Sequence, residues 1–308
     1  MPPEVTVLLS VYNGEKYLRE AIESVLSQTF QNWELIFWDN QSTDQSANIF
    51  KSYKDPRLKY FLAPEHTDLG GGRAKAFQYL TGEFISILDT DDIWLPKKLE
   101  KQVPLFEAPE IGIVICDTLF FNEKTEKALY GKKTPHTGSV FEKLMTNYFV
   151  SSETIVFRKS TALKLPRAFD HDFNFISDFD LVVRLSRISK MAFCPDVLAK
   201  WRVHGESHSW KYPLTFVEEK ERWIVKLIEE DFSFKEIYKK QIHIFNSKNF
   251  RERAIFEISN NKNRMAAIRN VIKTQFTDWR DWVLLMICFT PFAEIIFLYL
   301  QKRKVQLA

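Results

Sequence analysis

The first 120 residues alternate short apolar runs with segments of helical periodicity. The apolar runs, which predict strands, cover residues 5–11, 34–38, 58–62, 83–88 and 111–116. The segments between them that predict helices cover residues 15–29, 43–53, 70–80 and 97–106. Strands that are apolar along nearly their whole length are typical of a sheet covered by helices on both faces. We therefore predict an α/β fold with a mostly parallel sheet.

The first predicted helix carries its apolar residues on one face, and Asn13 is the residue that we expect to cap it. The apolar face is formed by Leu18, Ile22, Val25 and Leu26.

Polar and acidic clusters follow three of the predicted strands. The first strand is followed by SVYNG, the second by DNQSTD, and the strand at residues 83–88 by DTDD. In open α/β sheets, ligands bind outside the carboxyl ends of the strands. One acidic strand end is explained by a helix cap, whereas three that converge on one edge predict a binding site.

The DTDD cluster places Asp89, Asp91 and Asp92 within four positions. Such closely spaced carboxylates repel one another, and a divalent cation relieves that repulsion. Mg²⁺ and Mn²⁺ prefer oxygen ligands and are typically held by one or two carboxylates together with substrate phosphates. The alternative is a solvated acidic turn that precedes the helix after Pro96.

Five motifs in order resemble the inverting family 2 glycosyltransferases of GT-A fold that build bacterial cell-surface polysaccharides. They are VTVLLSVYNGEKYLREAIESVLSQTF, WELIFWDNQSTDQS, Arg73 followed by GEFISILDTDDIW, SDFDLVVRL, and WRVHGESHS. The resemblance spans residues 4–209, about two thirds of the chain. It implies transfer of a sugar from a nucleoside diphosphate sugar, with a UDP-sugar favoured, to a hydroxyl of a glycan or lipid-linked acceptor.

The resemblance also implies roles for individual residues. Asp39 would accept a hydrogen bond from the base, and Asp92 would bind the metal that bridges the diphosphate. The residues implied to contact the nucleotide sugar are Ser10, Val11, Tyr12, Asp39, Arg73, Asp91, Arg202 and His204, and those implied to hold Mn²⁺ or Mg²⁺ are Asp92 and Asp91.

A direct inversion needs a general base for the acceptor hydroxyl. The family keeps this residue at the start of a signature that reads SDFDLVVR here, so the resemblance implies that Asp178 is the catalytic base. The alternative is that Asp178 is the N-cap of a helix, a position where aspartate is favoured.

Some positions depart from the family pattern. Asn40 and Gln41 stand where a second aspartate and a glycine are common, and Ala74 and Ala76 follow Arg73 where Asn and Gly are common. Trp201 replaces a tyrosine. These departures bear on the identity of the donor sugar and of its nucleobase, and they do not bear on the reaction class.

The chain changes character near residue 209. With 308 residues, 45% of them hydrophobic, it can form one large domain with an appendage or two small domains. We predict a catalytic domain over residues 1–208, with a nucleotide-binding half at 1–117 and an acceptor half at 118–208. A helical region follows over 209–308, which contains 18 Lys and Arg against 12 Asp and Glu although the whole chain has a net charge of only +3.

The predicted helices of this region cover residues 214–230, 234–247, 251–259 and 265–275, followed by an apolar segment at 282–300. The apolar segment is long enough to cross a bilayer, but it contains Pro291 and Glu294 and has basic residues on both sides. We therefore expect an interfacial or re-entrant helix that rests on the cytoplasmic face of the membrane. The alternatives are a helix buried against the catalytic domain or in the groove of a partner.

The cysteines and the first residues of the chain predict a cytoplasmic location. Cys116, Cys194 and Cys288 are widely spaced and odd in number, which argues against a disulfide framework. The first residues lack the pattern of a signal peptide.

Two other functions remain open at this point. A sugar nucleotidyltransferase would carry a Gly-rich basic loop after the first strand, where only Gly14 is found. A non-catalytic nucleotide-sugar-binding subunit would tolerate the loss of Asp178 and Asp92. Nucleic-acid binding is disfavoured because the predicted site is acidic.

Overall fold

The computed structural model of the chain describes residues 2–207 and 211–290. The chain divides into two compact units. The first contains the residues up to 141 together with 149–203, and the second contains 142–148 together with those from 204 onward. The predicted boundary at residue 208 and the second half of the apolar segment, residues 291–300, lie outside the described residues.

The first unit is built on one sheet, which contains nine strands over the described residues. They are β1 (Val5–Val11), β2 (Trp33–Asp39), β3 (Leu58–Leu62), β4 (Phe84–Ile87), β5 (Ile93–Trp94), β6 (Ile111–Phe121), β7 (Glu126–Ala128), β8 (Val156–Arg158) and β9 (Lys190–Arg202). Their order is β3-β2-β1-β4-β8-β6-β9-β5, and β7 pairs with β6. The predicted α/β class is confirmed.

The sheet is mixed in direction. The pairs β2–β3, β1–β2 and β1–β4 are parallel, as the sequence predicts for this half. In the other half β8 is antiparallel to both β4 and β6, and β5 is antiparallel to β9, while β6 and β9 are parallel. Because β8 is antiparallel to both of its neighbours, six strands run in one direction, namely β1, β2, β3, β4, β6 and β9. Among the described strands only the short β5, β7 and β8 run against them, so the prediction of a mostly parallel sheet is confirmed.

Helices cover the first unit's sheet, and all seven residues of β1 and of β2 are buried. The helices are α1 (Leu18–Leu26), α2 (Ser46–Lys51), α3 (Leu69–Ala76), α4 (Lys98–Gln102), α6 (Lys159–Ala162) and α7 (Ser177–Ile188), and α5 (Phe141–Thr146) lies at the division between the units. The apolar face of α1 packs into the core that β1 and β2 share, through Leu18, Ile22 and Val25. The removal of these apolar side chains from water is the main contribution of α1 to the stability of the fold.

The predicted cap of the first helix is wrong. Helix α1 begins at Leu18 and its N-cap is Tyr17. Asn13 has a positive φ of 54° and its side-chain oxygen accepts a hydrogen bond from the Thr43 amide at 2.8 Å. Asparagine tolerates this left-handed conformation better than most residues. The hydrogen bond between Asn13 and Thr43 therefore joins the loop after β1 to the loop after β2.

The second unit is helical, as predicted. Its helices are α8 (Pro213–Glu230), α9 (Phe232–Ile237), α10 (Lys239–Ser259), α11 (Arg264–Lys273) and α12 (Trp279–Cys288). Helix α10 continues through residues 248–250, where the apolar pattern predicted a break. Two polar residues that interrupt the pattern, Ser247 and Asn249, are buried, and Ser247 donates a 2.9 Å hydrogen bond to the carbonyl of Thr274. No helix among the described residues is both long and apolar enough to span a bilayer.

Candidate active site

The first two polar clusters meet at the carboxyl edge of the sheet. Val11 pairs with Asp39 in the parallel register of β1 and β2, and the Asn40 amide donates a 2.8 Å hydrogen bond to the Val11 carbonyl. SVYNG and DNQSTD therefore lie side by side. This is the convergence that the sequence predicts for parallel strands.

Asp39 is held by hydrogen bonds to both of its side-chain oxygens. The Ser42 amide donates to Oδ1 at 2.8 Å, and the Tyr60 hydroxyl donates to Oδ2 at 2.6 Å. The residue is only 1% exposed. A ligand that contacts Asp39 must therefore displace neighbouring atoms first.

Ser10, Val11 and Tyr12 line this edge in different ways. Ser10 and Val11 are buried, whereas Tyr12 is 52% exposed. The Tyr12 ring lies 4.1 Å from the ring of His66, and Nδ1 of His66 is 2.9 Å from the Asn40 carbonyl oxygen. His66 was not predicted from the sequence, because a single histidine in a loop gives no distinguishing signal.

Arg73 connects α3 to the end of β4. Its side chain is 2% exposed, and Nη2 donates to Oδ1 of Asp89 at 2.7 Å. The structure thus places Arg73 against the first carboxylate of DTDD. An ion pair with one buried partner is stabilised by the low local dielectric.

The glycines before Arg73 allow another segment to approach α3 closely. A Cβ atom at Gly70 would lie 1.9 Å from the carbonyl oxygen of Phe173. The Leu69 amide donates a 2.8 Å hydrogen bond to the side-chain oxygen of Asn174. Residues 173 and 174 lead directly into α7, so the glycine run brings the start of α7 toward Arg73.

The three carboxylates of DTDD differ in exposure. Asp89 and Asp91 are partly exposed, whereas Asp92 is 1% exposed. Oδ1 of Asp92 accepts a 3.1 Å hydrogen bond from the Arg202 amide. Burial raises the pKa of the Asp92 carboxyl well above its usual range, and the negative charges of Glu153, Asp91 and Asp89 raise it further.

Arg202 fixes DTDD through its side chain as well as its backbone. Nε donates to the Asp91 carbonyl at 3.0 Å, and Nη2 donates to Glu20 at 2.8 Å. The guanidinium lies 4.4 Å from the centre of the Tyr17 ring and 4.7 Å from that of Phe121. In this structure the guanidinium therefore positions the loop. His204 belongs to the second unit, and its predicted role stays a prediction.

Glu153 is a second buried carboxylic acid whose charge acts on DTDD, and the sequence pattern did not reveal it. It is fully buried, and Oγ of Ser151 lies 2.9 and 2.7 Å from its two carboxyl oxygens. Burial raises its pKa. The neighbouring SSET sequence carries no acidic repeat or spacing that would have marked it.

Asp178 is the second residue of α7 and is half-buried. Burial raises the pKa of its carboxyl, the positive charge of Arg73 opposes that rise, and the negative charge of Asp89 adds to it. The N-cap of α7 is Ile176, so the alternative assignment of Asp178 as N-cap is wrong. Further along the helix, the buried Asp180 and Arg184 form an ion pair with Nε 2.6 Å from Oδ1.

Asp89, Asp91 and Asp92 do not form a ready-made metal cluster. Over residues 2–207 and 211–290, three ligand atoms lie within 4.8 Å of one another only at Asp170, His171 and Asp172. Both His171 and Asp172 are exposed there. The donor chemistry of DTDD still fits a hard cation, because Asp89 and Asp91 are partly exposed carboxylic residues that precede the buried Asp92 in sequence.

Comparison with known proteins identifies relatives along most of the chain. A glycosyltransferase of Rickettsia typhi with no assigned function is 31% identical over 209 residues, which are 66% of this chain and 64% of that protein. The chain thus spans just under two thirds of that relative. The UDP-Glc:alpha-D-GlcNAc-diphosphoundecaprenol beta-1,3-glucosyltransferase WfgD of Escherichia coli is 27% identical over 223 residues, 72% of this chain and 84% of that protein.

Solved structures share the fold. S. aureus TarS (residues 1–349) in complex with UDP-GlcNAc is 18% identical with a TM-score of 0.63, over 99% of this chain and 89% of that one. The mannosyltransferase PcManGT of Pyrobaculum calidifontis, in complex with GDP-Man and Mn²⁺, is 16% identical with a TM-score of 0.61, over 99% and 88%.

A family model described as "Glycosyl transferase family 2" matches residues 6–166, more than half of the chain. This range contains Asp39, Arg73 and the whole DTDD cluster. The chain therefore belongs to glycosyl transferase family 2, a family of transferase enzymes, and it has the GT-A fold.

Proposed function

We propose that this protein is an inverting glycosyltransferase that moves a sugar from a nucleoside diphosphate sugar, with a UDP-sugar favoured, to a hydroxyl of a glycan or lipid-linked acceptor. The observation that carries the proposal is the position of Arg73. It pairs with Asp89 of DTDD, and its charge also acts on Asp178. The buried guanidinium of Arg73 therefore connects the DTDD cluster, where we expect the donor to bind, with the candidate general base Asp178.

Asp178 is the general base of this proposal. Its raised pKa makes the carboxylate a stronger proton acceptor than an exposed aspartate. As the acceptor hydroxyl attacks the sugar, its proton passes to the Asp178 carboxylate and the nucleoside diphosphate leaves. The positive charge of Arg73 opposes the effect of burial on this pKa and so favours the ionised carboxylate.

The nucleotide is proposed to bind at the carboxyl edge of β1 and β2. Asp39 accepts a base N–H there, and Tyr12 and His66 offer an exposed aromatic pair beside it. Since Asp39 is 1% exposed, this pair is the group that we expect to move when the base enters. The UDP-glucose in the name of the relative WfgD favours uracil, and the GDP-Man bound by PcManGT makes guanine the alternative.

The residues that would hold Mn²⁺ or Mg²⁺ are Asp91 and Asp92. Asp91 is partly exposed, and burial together with the negative charges of Glu153, Asp91 and Asp89 raises the pKa of Asp92, so a cation beside it would stabilise its ionised form. When bound, the cation supplies neutralisation of the diphosphate charge. Arg202 holds the loop of both residues through the Asp91 carbonyl and the Asp92 carboxyl.

Peripheral association with the cytoplasmic face of the membrane is the third part of the proposal. Helix α12 and its C-cap residue Phe289 expose four large apolar side chains, Trp279, Trp282, Met286 and Phe289, at 73%, 56%, 63% and 70%. The spacing of three or four residues puts these side chains on one face of the helix.

Buried residues of α12 occupy the other side, namely Asp281, Leu284 and Cys288. The exposed face carries tryptophan, which is enriched at membrane interfaces. Two exposed basic residues lie close to this face in sequence, Arg280 within α12 and Lys273 shortly before it. This composition suits an anionic lipid surface, where a lipid-linked acceptor would be met.

The test of the reaction is release of UDP from UDP-sugars in the presence of Mn²⁺ and candidate acceptors. Wild type, Asp178→Asn and Asp196→Asn are compared, the last as a surface carboxylate that pairs only with Lys101 and Cys194 in the described contacts. The proposal expects acceptor-dependent release by wild type and Asp196→Asn alone. Binding of UDP without any sugar transfer would favour the non-catalytic subunit.

A further inference from the structure

Tyr60 lies beside Asp39 and contacts the carboxylate directly. In the parallel register of β2 and β3, Asp39 pairs with Leu62 and Phe37 pairs with Tyr60. Residues two apart on a strand point to the same face. The Tyr60 hydroxyl thereby reaches Oδ2 of Asp39 at 2.6 Å, a length typical of a hydrogen bond to a charged acceptor.

The two oxygens of Asp39 have separate donors on separate elements. The Ser42 amide, in the loop after β2, donates to Oδ1, and Tyr60, in β3, donates to Oδ2. Rotation of the carboxylate would break both hydrogen bonds. A carboxylate has about four lone-pair sites, so acceptor capacity remains for a ligand.

The ring of Tyr60 is fixed independently of its hydroxyl. It lies 5.7 Å from the Phe37 ring in a stacked arrangement, and Nζ of Lys51 is 4.0 Å from its centre. Burial and the hydrogen bond to Asp39 raise the pKa of Tyr60, so the hydroxyl keeps its proton. A phenylalanine at this position would keep the ring contacts and lose only the hydrogen bond.

We propose that Tyr60 is a positioning residue that orients the Asp39 carboxylate toward the ring N–H of a nucleobase, and that it thereby sets the base preference of the donor site. The inference rests on the proposed function, in which Asp39 contacts the base. Uracil and guanine carry a ring N–H at the edge concerned, whereas cytosine and adenine carry an acceptor nitrogen there. Tyr60 thus favours uracil and guanine nucleotides by preorganising the acceptor.

A purely structural role of Tyr60 would affect nucleotide binding differently from a positioning role. If Tyr60 only attached β3 to β2, the loss of its hydroxyl would weaken the binding of every nucleotide equally. If it orients Asp39, the loss must fall on ligands that donate a base N–H. The ratio of two affinities therefore separates the two roles.

The test is calorimetric binding of UDP and of N3-methyl-UDP, which lacks the donor hydrogen, to four proteins. These are wild type, Tyr60→Phe, Tyr53→Phe and Asp39→Ala. Tyr53→Phe is the matched control, because the Tyr53 hydroxyl also donates to a carboxylate, Oε1 of Glu23 at 3.2 Å, but on the exposed surface.

Wild type and Tyr53→Phe are expected to bind UDP at least about tenfold more tightly than N3-methyl-UDP, the size of one hydrogen bond to a charged group. In Tyr60→Phe we expect this ratio to fall to about threefold or less, with the melting temperature close to that of Tyr53→Phe. In Asp39→Ala we expect no discrimination.

An unchanged ratio in Tyr60→Phe overturns the inference, even if both affinities fall. An unchanged ratio in Asp39→Ala, or no discrimination by wild type, shows instead that Asp39 does not contact the base. That result removes the base assignment of the proposed function together with this inference.

Discussion

Nη2 of Arg73 donates a 2.7 Å hydrogen bond to Oδ1 of Asp89, and the same guanidinium lowers the pKa that burial raises at Asp178. Arg73 is almost entirely buried, so its charge is not well screened by water. The pair therefore couples the end of β4 to the start of α7. It thereby links the proposed donor site at DTDD with the proposed general base at Asp178.

Replacement of Asp178 by asparagine is expected to remove the general base. Sugar transfer should fall by about 10²- to 10⁴-fold, while UDP affinity stays within about twofold of wild type. Asp172→Asn, an exposed carboxylate ahead of the same helix, is the control and should retain activity. Activity near the wild-type level in Asp178→Asn would show that another group takes the proton.

The raised pKa of Asp178 predicts the pH dependence of both activity and stability. The base works only when ionised, so kcat/KM should fall on the acid side with an apparent pKa above 3.8, the ordinary value. Folding favours the protonated form, so stability is lost as pH rises from 3.8 through the raised pKa. Asp178→Asn should therefore unfold at an equal or higher temperature than wild type at pH 7.

A variant of Arg73 checks the cause of this shift. Removal of the positive charge in Arg73→Gln should move the acid limb of kcat/KM to higher pH, whereas Arg57→Gln, which breaks a surface pair with Asp55, should leave it in place. An acid limb that stays at the wild-type pH in Arg73→Gln would exclude Arg73 as the group that opposes burial.

Gly70→Ala should separate the glycine run from the start of α7. A methyl group there would lie 1.9 Å from the Phe173 carbonyl oxygen, which is backbone and cannot rotate away. We expect a loss of about 1–3 kcal/mol in the free energy of unfolding, measured by urea denaturation. Gly205→Ala meets no atom within 4 Å and is the control. Equal stability of the two variants would contradict the close packing of α3 on residues 170–174.

The sequence predicted the bounds of the first three strands far better than it predicted the contacts between side chains. The strands at residues 5–11 and 58–62 have the predicted bounds, and β2 extends its prediction by one residue at each end. The apolar runs of β1 and β2 reflect burial on both faces, a property that each residue carries by itself. Strand β3 lies at the edge of the sheet and has no buried residue, so its bounds followed from its apolar and aromatic composition alone. Convergence of the polar clusters followed from the parallel order of these strands.

Contacts between distant segments could not be predicted in the same way. Helix α3, which carries Arg73, packs against residues 170–174, which lie about a hundred positions further along the chain. Glu153 and Tyr60 have no motif of their own, and only the folded chain relates them to Asp92 and Asp39. Asn13 was assigned to a local cap, whereas its amide makes a contact across loops.

The exposed face of α12 predicts binding to anionic vesicles. Trp279→Ser/Trp282→Ser should reduce co-sedimentation with vesicles that contain anionic lipid by about tenfold or more, because two interfacial anchors are lost. Phe232→Ser removes an aromatic residue that is 83% exposed elsewhere in the same unit and should have little effect. Wild-type co-sedimentation of the double variant would contradict a membrane role for this face.

The most direct test of the donor site is the calorimetric affinity for UDP with and without Mn²⁺, in wild type, Asp91→Ala, Asp92→Ala and Asp196→Asn. The account predicts that Mn²⁺ tightens UDP binding by about tenfold or more in wild type and Asp196→Asn, and that both other variants lose this gain. Equal binding of UDP by wild type with and without Mn²⁺, or no binding at all, would contradict a metal-bridged UDP-sugar site at DTDD.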